Sequence, residues 1–275
     1  MKRAALILSM FLVTAATHAQ IFMLDLPQKS QAAEVSQRIG LTDVEIRYHR
    51  PLVNGRKIWG DLVPYGEVWR TGANNITTFR VTDPVTIEGQ PLAAGTYGLH
   101  AIPGPEQWTL IFSNNATSWG SFTYDKSEDA LRVTVKPRVS EMHEAMTFEF
   151  DEVEPEATTV ALKWEKLAVP FHIRVPVHDV VQASIKRQLR TLNRYNWLTW
   201  NEAANYLLSE KLSAEDALAY ANKSITYEDR FDNELTKAKA LTALHRDAEA
   251  AAAQRRALEV ASPKQREDFA KKKAD

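Results

Sequence analysis

Residues able to do chemistry are densest between positions 50 and 75. This stretch combines cations, carboxylates and aromatic rings with the glycines and prolines that prevent long regular elements. A loop of about 25 residues inside a compact domain is usually functional or packed on itself. Its polar and aromatic side chains include Arg50, Arg56, Lys57, Trp59, Asp61, Tyr65, Glu67, Trp69, Arg70, Thr71, Asn74 and Asn75.

Two interpretations of this loop stay open. In the first, its apolar residues plug one end of a sheet domain, while Arg50, Arg70, Asp61 and Glu67 satisfy loop backbone and each other. In the second, fixed polar groups on an aromatic floor hold a glycan or an anionic small molecule. The ligand-binding candidates of the second interpretation are Arg50, Lys57, Trp59, Trp69, Arg70, Thr71, Asn74, Tyr97 and His100.

An enzymatic alternative is an unassigned hydrolase that uses Asp61, Glu67 or His100. Two carboxyls about 5 to 10 Å apart can serve a glycosidase, although nearby cations offer Asp61 and Glu67 simpler ion-pair roles. His100 lies beside Tyr97 in a glycine-rich hairpin. The sequence contains no G-x-S-x-G and no H-E-x-x-H motif. It therefore favours a non-catalytic role and predicts no metal and no cofactor.

The N-terminus has the pattern of a secretory signal peptide over residues 1–19. Lys2 and Arg3 precede an apolar run over positions 4–13, and small residues end at Ala19, after which we expect cleavage. The run is shorter than the roughly 20 apolar residues of a membrane span, and no later segment is suited to span a bilayer. We therefore expect an exported protein, periplasmic or secreted.

Composition excludes several other classes. The 34 basic and 35 acidic residues give a formal net charge of −1, which argues against a nucleic-acid binder. With 44% hydrophobic residues, the chain has enough apolar material for a folded core. Cysteine is absent, so disulfides and thiolate metal sites are excluded.

Glycine and proline divide the chain near position 176. All ten glycines lie between Gly40 and Gly120, and Pro263 is the only proline after Pro176. Before the boundary, apolar residues alternate with polar ones, which is typical of half-buried strands. Sets of this kind are Val44, Ile46 and Tyr48; Leu131, Val133 and Val135; Met146, Phe148 and Phe150; Val160, Leu162 and Trp164; and Val169, Phe171, Ile173 and Val175. Residues 20–176 are thus predicted to form nine or ten strands of an antiparallel β-sandwich, jelly-roll-like or related.

After the boundary the apolar spacing becomes helical, so the chain as a whole is predicted to be α+β. Five helices are expected over residues 177–262, the first with Asp179 as cap and Leu192 on its apolar face, the third capped by Ser213. The third and fifth resemble each other at an offset of 33, near the tetratricopeptide period of 34. This repeat-like tail offers a groove for a protein partner; an alanine-rich bundle is the alternative. Residues 263–275 are expected to be a flexible charged tail.

The dense loop also carries a family resemblance. The run from Gly60 to Asn74, together with the segment from Ala94 to Gly104 and the pairs Trp119-Gly120 and Tyr124-Asp125, resembles the signature of a bacterial exported family catalogued as domain of unknown function 2911. The resemblance spans most of residues 24–176. It implies export and a β-rich domain, and it transfers no activity.

Overall fold

The computed structural model describes residues 26–274, in which two antiparallel sheets precede six helices. This confirms the predicted α+β architecture; the predicted signal peptide, residues 1–19, lies outside the described residues. The strands are β1 (Gln31–Ile39), β2 (Thr42–Arg50), β3 (Thr77–Val81), β4 (Val85–Ile87), β5 (Gln90–Leu92), β6 (Gly95–Ile102), β7 (Trp108–Ser113), β8 (Asp129–Val135), β9 (Arg138–Val153) and β10 (Ala157–Arg174). The helices are α1 (Val177–Gln188), α2 (Trp197–Ser209), α3 (Ala214–Tyr227), α4 (Phe231–Ala243), α5 (Asp247–Val260) and α6 (Pro263–Ala274).

The two sheets share one hydrophobic core. One sheet has the strand order β1-β2-β3-β6-β7-β8, and the other has β5-β4-β10-β9. Phe79 of β3 and Phe112 of β7 contact edge to face at 5.0 Å, and each lies 6.2 Å from Phe171 of β10 in the opposite sheet. Because the inward residues of both sheets meet there, the described part of the sheet domain is a sandwich.

One predicted break between strands is instead a bulge. The sequence predicts separate strands around Val160–Trp164 and Val169–Val175, whereas β10 is continuous across both. Glu165 has φ 55°, and the pairing with β9 shifts register on either side of it. A bulge changes which alternate residues face inward. Consequently Trp164 is buried before it and Phe171 and Ile173 after it.

The helical region differs from the prediction at three points. The first is the cap of α1, which is Pro176; Asp179, the predicted cap, lies within the first turn of the helix. Ser213 caps α3 as predicted, since its side chain accepts a hydrogen bond from the Asp216 amide at 3.1 Å. However, α1 ends at Gln188, and Leu192 lies beyond it with 84% of its surface exposed. Residues 263–274 form α6 where a flexible tail is expected. Pro263 occupies its first position, where a fixed φ favours helix initiation.

The first helix is anchored on the sandwich. β10 ends at Arg174 and α1 begins at Val177, whose side chain packs against the sheet core. Gly40, in the turn between β1 and β2, has φ +58°, and a Cβ there would lie 2.7 Å from Val177 Cγ1. Only glycine fits both the backbone angle and this approach. His178 Nε2 also lies 3.4 Å from a carboxylate oxygen of Glu156.

Candidate functional site

The tryptophans of the dense loop belong to the core. Trp59 contacts Trp69, Trp108 of β7 and Trp164 of β10 at centroid distances of 5.9, 5.0 and 5.7 Å, all edge to face. Trp69 stacks on Trp164 at 6.0 Å. Trp59, Trp108 and Trp164 are buried, and Trp69 is half-buried. Ile58 and Val63 are buried beside them. This tryptophan cluster (Trp59, Trp69, Trp108, Trp164) joins the loop to both sheets, as the plug interpretation expects.

Two of the loop cations satisfy backbone carbonyls. Arg50 Nε donates to the Met146 carbonyl at 2.9 Å, and Arg56 Nε donates to the Val53 carbonyl at 3.0 Å. Lys57, Asp61 and Glu67 are exposed. Within residues 26–274, no ion pair joins Asp61 or Glu67 to a loop cation. The expected pairing of Arg50 and Arg70 with these carboxylates is therefore absent there.

Three further candidates make hydrogen bonds within the structure. Thr71 is fully buried with φ 50°, and its Oγ1 donates to the Leu99 carbonyl at 2.7 Å. Asn74 has φ 56° and donates from Nδ2 to Gln28 Oε1 at 2.5 Å. The Tyr97 hydroxyl donates to the Ala93 carbonyl at 2.9 Å. Each side chain thus has a structural partner.

Arg70 is different, because its charge is partly buried without a counter-charge. The side chain is half-buried, and its Nε is buried with no hydrogen-bond partner among the described residues. Burial lowers the pKa of Arg70 below its ordinary value. The guanidinium carbon lies 5.9 Å from the centroid of the Trp119 ring. No carboxylate in residues 26–274 pairs with it.

The partner Trp119 comes from a segment that folds back over the outer face of the six-stranded sheet. The Ile76 amide donates to the Ser118 carbonyl at 3.1 Å, and Asn75 and Trp119 form an isolated bridge. Trp119 is 62% exposed and Phe122 is 80% exposed, and their rings stack at 5.9 Å. The three side chains form one site, the Arg70–Trp119–Phe122 surface.

A buried polar group lies next to this surface. His100 is 2% exposed, its Nδ1 lies 3.1 Å from Ser121 Oγ, and its ring contacts Tyr124 at 5.1 Å. Tyr124 donates to Asp129 Oδ2 at 2.9 Å, and Arg132 Nε donates to the same oxygen at 2.5 Å. Burial lowers the pKa of His100 to about 4, against a smaller opposing effect of Asp129. His100 is therefore neutral near pH 7, and no recorded contact in residues 26–274 joins it to Asp61 or Glu67.

An open groove of about 680 Å³ adjoins the surface. It runs over the outer face of the six-stranded sheet, between the β1–β2 hairpin and the segment 116–118 that leads into Trp119. Its polar lining includes Glu34, Arg47, His49, Asn75, Thr78 and Thr117. His49 Nδ1 is buried there with no hydrogen-bond partner in the described part of the chain, and burial lowers the pKa of His49.

Sequence reasoning missed Trp119 and Phe122 as site residues. Ser121 lies in a turn, and its Oγ is 3.1 Å from His100 Nδ1. The available signal was two aromatic residues three positions apart, flanking Gly120 and Ser121, in a stretch without strand alternation. A pattern of this kind does not reveal exposure, because exposure depends on how the segment lies on the sheet.

The fold and site define a two-sheet antiparallel sandwich with an exposed aromatic–arginine surface, followed by helices. A family model described as "Protein of unknown function (DUF2911)" matches residues 30–173, more than half of the 275-residue chain, so the chain belongs to this family. No curated protein and no solved structure matches the chain. Across residues 26–274, no helix is long and apolar enough to cross a membrane, and no cluster of three or more His, Asp or Glu residues is suited to hold a metal ion.

Proposed function

We propose that the sheet domain is a non-catalytic binding module for an acidic sugar, held on the Arg70–Trp119–Phe122 surface. The proposed ligand has the chemistry expected from the sequence, but the proposed site lies mostly outside the dense loop. Of that loop, only Arg70 contributes a side chain to the proposed site, because Trp59 and Trp69 belong to the tryptophan cluster.

The observation that carries the proposal is the unpaired, half-buried guanidinium of Arg70. Removing a charge from water is unfavourable unless a partner compensates it. Arginine binds carboxylates and phosphates through paired N–H donors. A ligand carboxylate would supply the missing counter-charge and accept hydrogen bonds from the terminal N–H groups of the guanidinium, whereas Nε is enclosed by the protein.

The exposed aromatic pair supports a ligand with a flat apolar face. Trp119 and Phe122 stack with most of their surfaces in solvent. Exposed apolar groups that cluster in this way often mark binding sites. The C–H face of a sugar ring matches an indole face, while a carboxylate on the same ring reaches Arg70. The adjoining groove of about 680 Å³ has room for neighbouring sugar units.

A protein partner for the helical region is a second proposal, supported by its repeat geometry. The helices α2 and α4 begin at Trp197 and Phe231, and α3 and α5 begin at Ala214 and Asp247. The matching residues Ala217 and Ala250 are both buried. These spacings support a tetratricopeptide-like pair of hairpins, a type of array that binds partners on its concave face.

Export by the predicted signal peptide likewise stays a proposal.

Calorimetric titration of the full chain tests the sugar site. Glucuronic acid and galacturonic acid are compared with neutral glucose, and we expect the acids to bind at least about tenfold more tightly, because hydrogen bonds to charged groups contribute about 1.5–3 kcal/mol. Arg70→Gln and Trp119→Ala should each weaken binding by a similar factor. Two matched controls change exposed residues elsewhere. Arg80→Gln replaces an arginine of β3 that lies near Glu45 of β2, and Tyr65→Ala replaces an aromatic residue of the dense loop. Equal binding of acids and glucose, or loss of binding in Tyr65→Ala alone, contradicts the proposal.

A further inference from the structure

The connector between α1 and α2 presents apolar side chains to solvent. Leu192 is 84% exposed, Tyr195 is 64% exposed and Leu198, in the first turn of α2, is 42% exposed. Every residue from 190 to 196 is exposed. Isolated apolar residues on a surface are ordinary, but three within seven positions on one short connector form a patch.

Four cations lie close to these apolar residues in sequence, between positions 186 and 194. Lys186, Arg187, Arg190 and Arg194 are exposed, and none has a carboxylate within ion-pair distance in residues 26–274. The sequence holds no Asp or Glu between Asp179 and Glu202. Two acids share pockets with residues of α1: Asp216 lines a small pocket with Lys186, and Glu202 lines the pocket between α1 and α2. In a chain with net charge −1, this is a local concentration of positive charge.

The connector is held in a defined shape. Thr191 caps a 3₁₀ turn over Leu192–Tyr195. Trp200 Nε1 donates to the Arg194 carbonyl at 2.7 Å, and the Tyr195 ring contacts Tyr227 edge to face at 6.5 Å. These contacts fix the backbone while leaving the tips of Leu192 and Tyr195 in solvent. The protruding geometry is therefore built into the fold.

We propose that this connector patch (Lys186, Arg187, Arg190, Leu192, Arg194, Tyr195 and Leu198) docks on the surface of an anionic lipid bilayer. Exposed cations are attracted to acidic headgroups, and leucine and tyrosine side chains enter the interfacial region beneath them. Tyrosine and tryptophan favour this depth because their rings have an apolar body and a polar edge. Association of this kind is peripheral and reversible, and salt weakens it.

An acidic peptide is the competing partner, and the geometry favours the bilayer. A peptide helix or strand needs a groove that receives its side chains. The pocket between α1 and α2 has a volume of about 230 Å³, and Leu192, Tyr195 and Leu198 are not among its lining residues. The apolar side chains of the connector patch are exposed and lie outside the lining of this pocket, which suits insertion into a fluid surface.

Co-sedimentation of the full chain with vesicles tests this inference. Vesicles of phosphatidylcholine alone are compared with an equimolar mixture of phosphatidylcholine and phosphatidylglycerol. We expect binding to the anionic vesicles to be at least about tenfold stronger, and to fall as salt is raised, because each surface cation contributes about a fivefold factor.

Two paired variants separate charge from insertion. Arg190→Gln with Arg194→Gln should reduce binding about 25-fold, because two cations are lost. Leu192→Ser with Tyr195→Ser should reduce binding at least about tenfold, because apolar burial is lost. The matched controls are Lys211→Gln with Lys264→Gln, and Val139→Ser, which change exposed residues elsewhere. Thermal unfolding confirms that each variant is folded. Equal binding to both vesicle types, equal loss in the controls, or binding of an acidic peptide without binding of vesicles overturns the inference.

Discussion

The guanidinium carbon of Arg70 lies 5.9 Å from the ring centroid of Trp119, in a segment distant along the chain. Two backbone contacts bring the segments together: the bridge between Asn75 and Trp119, and the hydrogen bond from the Ile76 amide to the Ser118 carbonyl at 3.1 Å. The arginine and the aromatic pair therefore belong to one arrangement, and the following changes test what that arrangement does.

Replacing Arg70 with methionine should leave stability almost unchanged while weakening the binding of acidic sugars at least about tenfold. The cation is half-buried without an ion-pair partner in the described residues, so its loss removes an unfavourable desolvation along with a modest attraction to Trp119. Urea unfolding should therefore show a change within about 1 kcal/mol. A loss of several kcal/mol would assign Arg70 a structural role instead.

Replacing Trp59 with alanine should destabilise the protein by about 3–5 kcal/mol, the range for large aromatic truncations in a core. Trp59 contacts three other tryptophans and is 8% exposed. Its Nε1 has no hydrogen-bond partner in the described part of the chain, so the loss is one of packing. Denaturant unfolding measures it. Tyr65→Ala, in the same loop but 44% exposed, should change stability by less than about 1 kcal/mol; similar values for both would contradict the core assignment of Trp59.

His100 should make the protein less stable in mild acid. Its pKa is about 4 when folded, against 6.5 for an ordinary histidine. The unfolded chain therefore binds the proton more readily, so stability is greatest above pH 6.5 and falls as the pH drops toward 4. Between pH 7 and pH 5 the loss attributable to this group is about 2 kcal/mol.

Unfolding experiments at several pH values check the histidine effect. His100→Gln removes the titrating group and should flatten the dependence over this interval. The control is His245→Gln, a substitution on the helical side of the chain. A wild-type profile that stays flat between pH 7 and pH 5, or an unchanged slope in His100→Gln, contradicts the burial argument.

The sequence predicts the sheet domain well where burial alone determines the pattern. Val44, Ile46 and Tyr48 alternate in the sequence and are all buried in β2. The same alternation does not reveal that β10 is one strand, because the bulge at Glu165 depends on pairing with β9. The apolar spacing also does not reveal that α1 ends at Gln188. Leu192 continues this spacing although it lies in the 3₁₀ turn that follows the helix.

The site is less predictable than the fold, for a physical reason. Arg70 was identified from its type and its place in a dense loop. Trp69 lies next to Arg70 in the same loop, but its ring stacks on Trp164 in the core and not at the proposed site. Trp119 and Phe122 became site residues only because the segment around them crosses the outer face of the sheet. Side-chain chemistry is encoded locally, whereas exposure is set by tertiary contacts.

Gly98 should be essential for placing that segment. A Cβ at this position would lie 2.3 Å from the Asn115 carbonyl oxygen and 2.7 Å from Ile76 Cδ1. Gly98→Ala should therefore displace the segment, raise its amide hydrogen exchange over residues 114–124 and weaken sugar binding. The matched control is Gly89→Ala in the β4–β5 turn, where φ is +76° and no atom lies near the added Cβ. Gly89→Ala strains the backbone only locally and should leave exchange over residues 114–124 unchanged. Unchanged exchange over these residues in Gly98→Ala would contradict the expected displacement.

The most direct test of the sugar-binding account follows the indole N–H resonances of the seven tryptophans. The nitrogen-15-labelled full chain is titrated with glucuronic acid, and Trp119→Phe assigns the resonance of Trp119. We expect that resonance to shift with glucuronic acid, to shift far less with glucose, and to stay still in Arg70→Met. A Trp119 resonance that does not move, while those of Trp59 or Trp69 do, would place the ligand elsewhere and contradict the account.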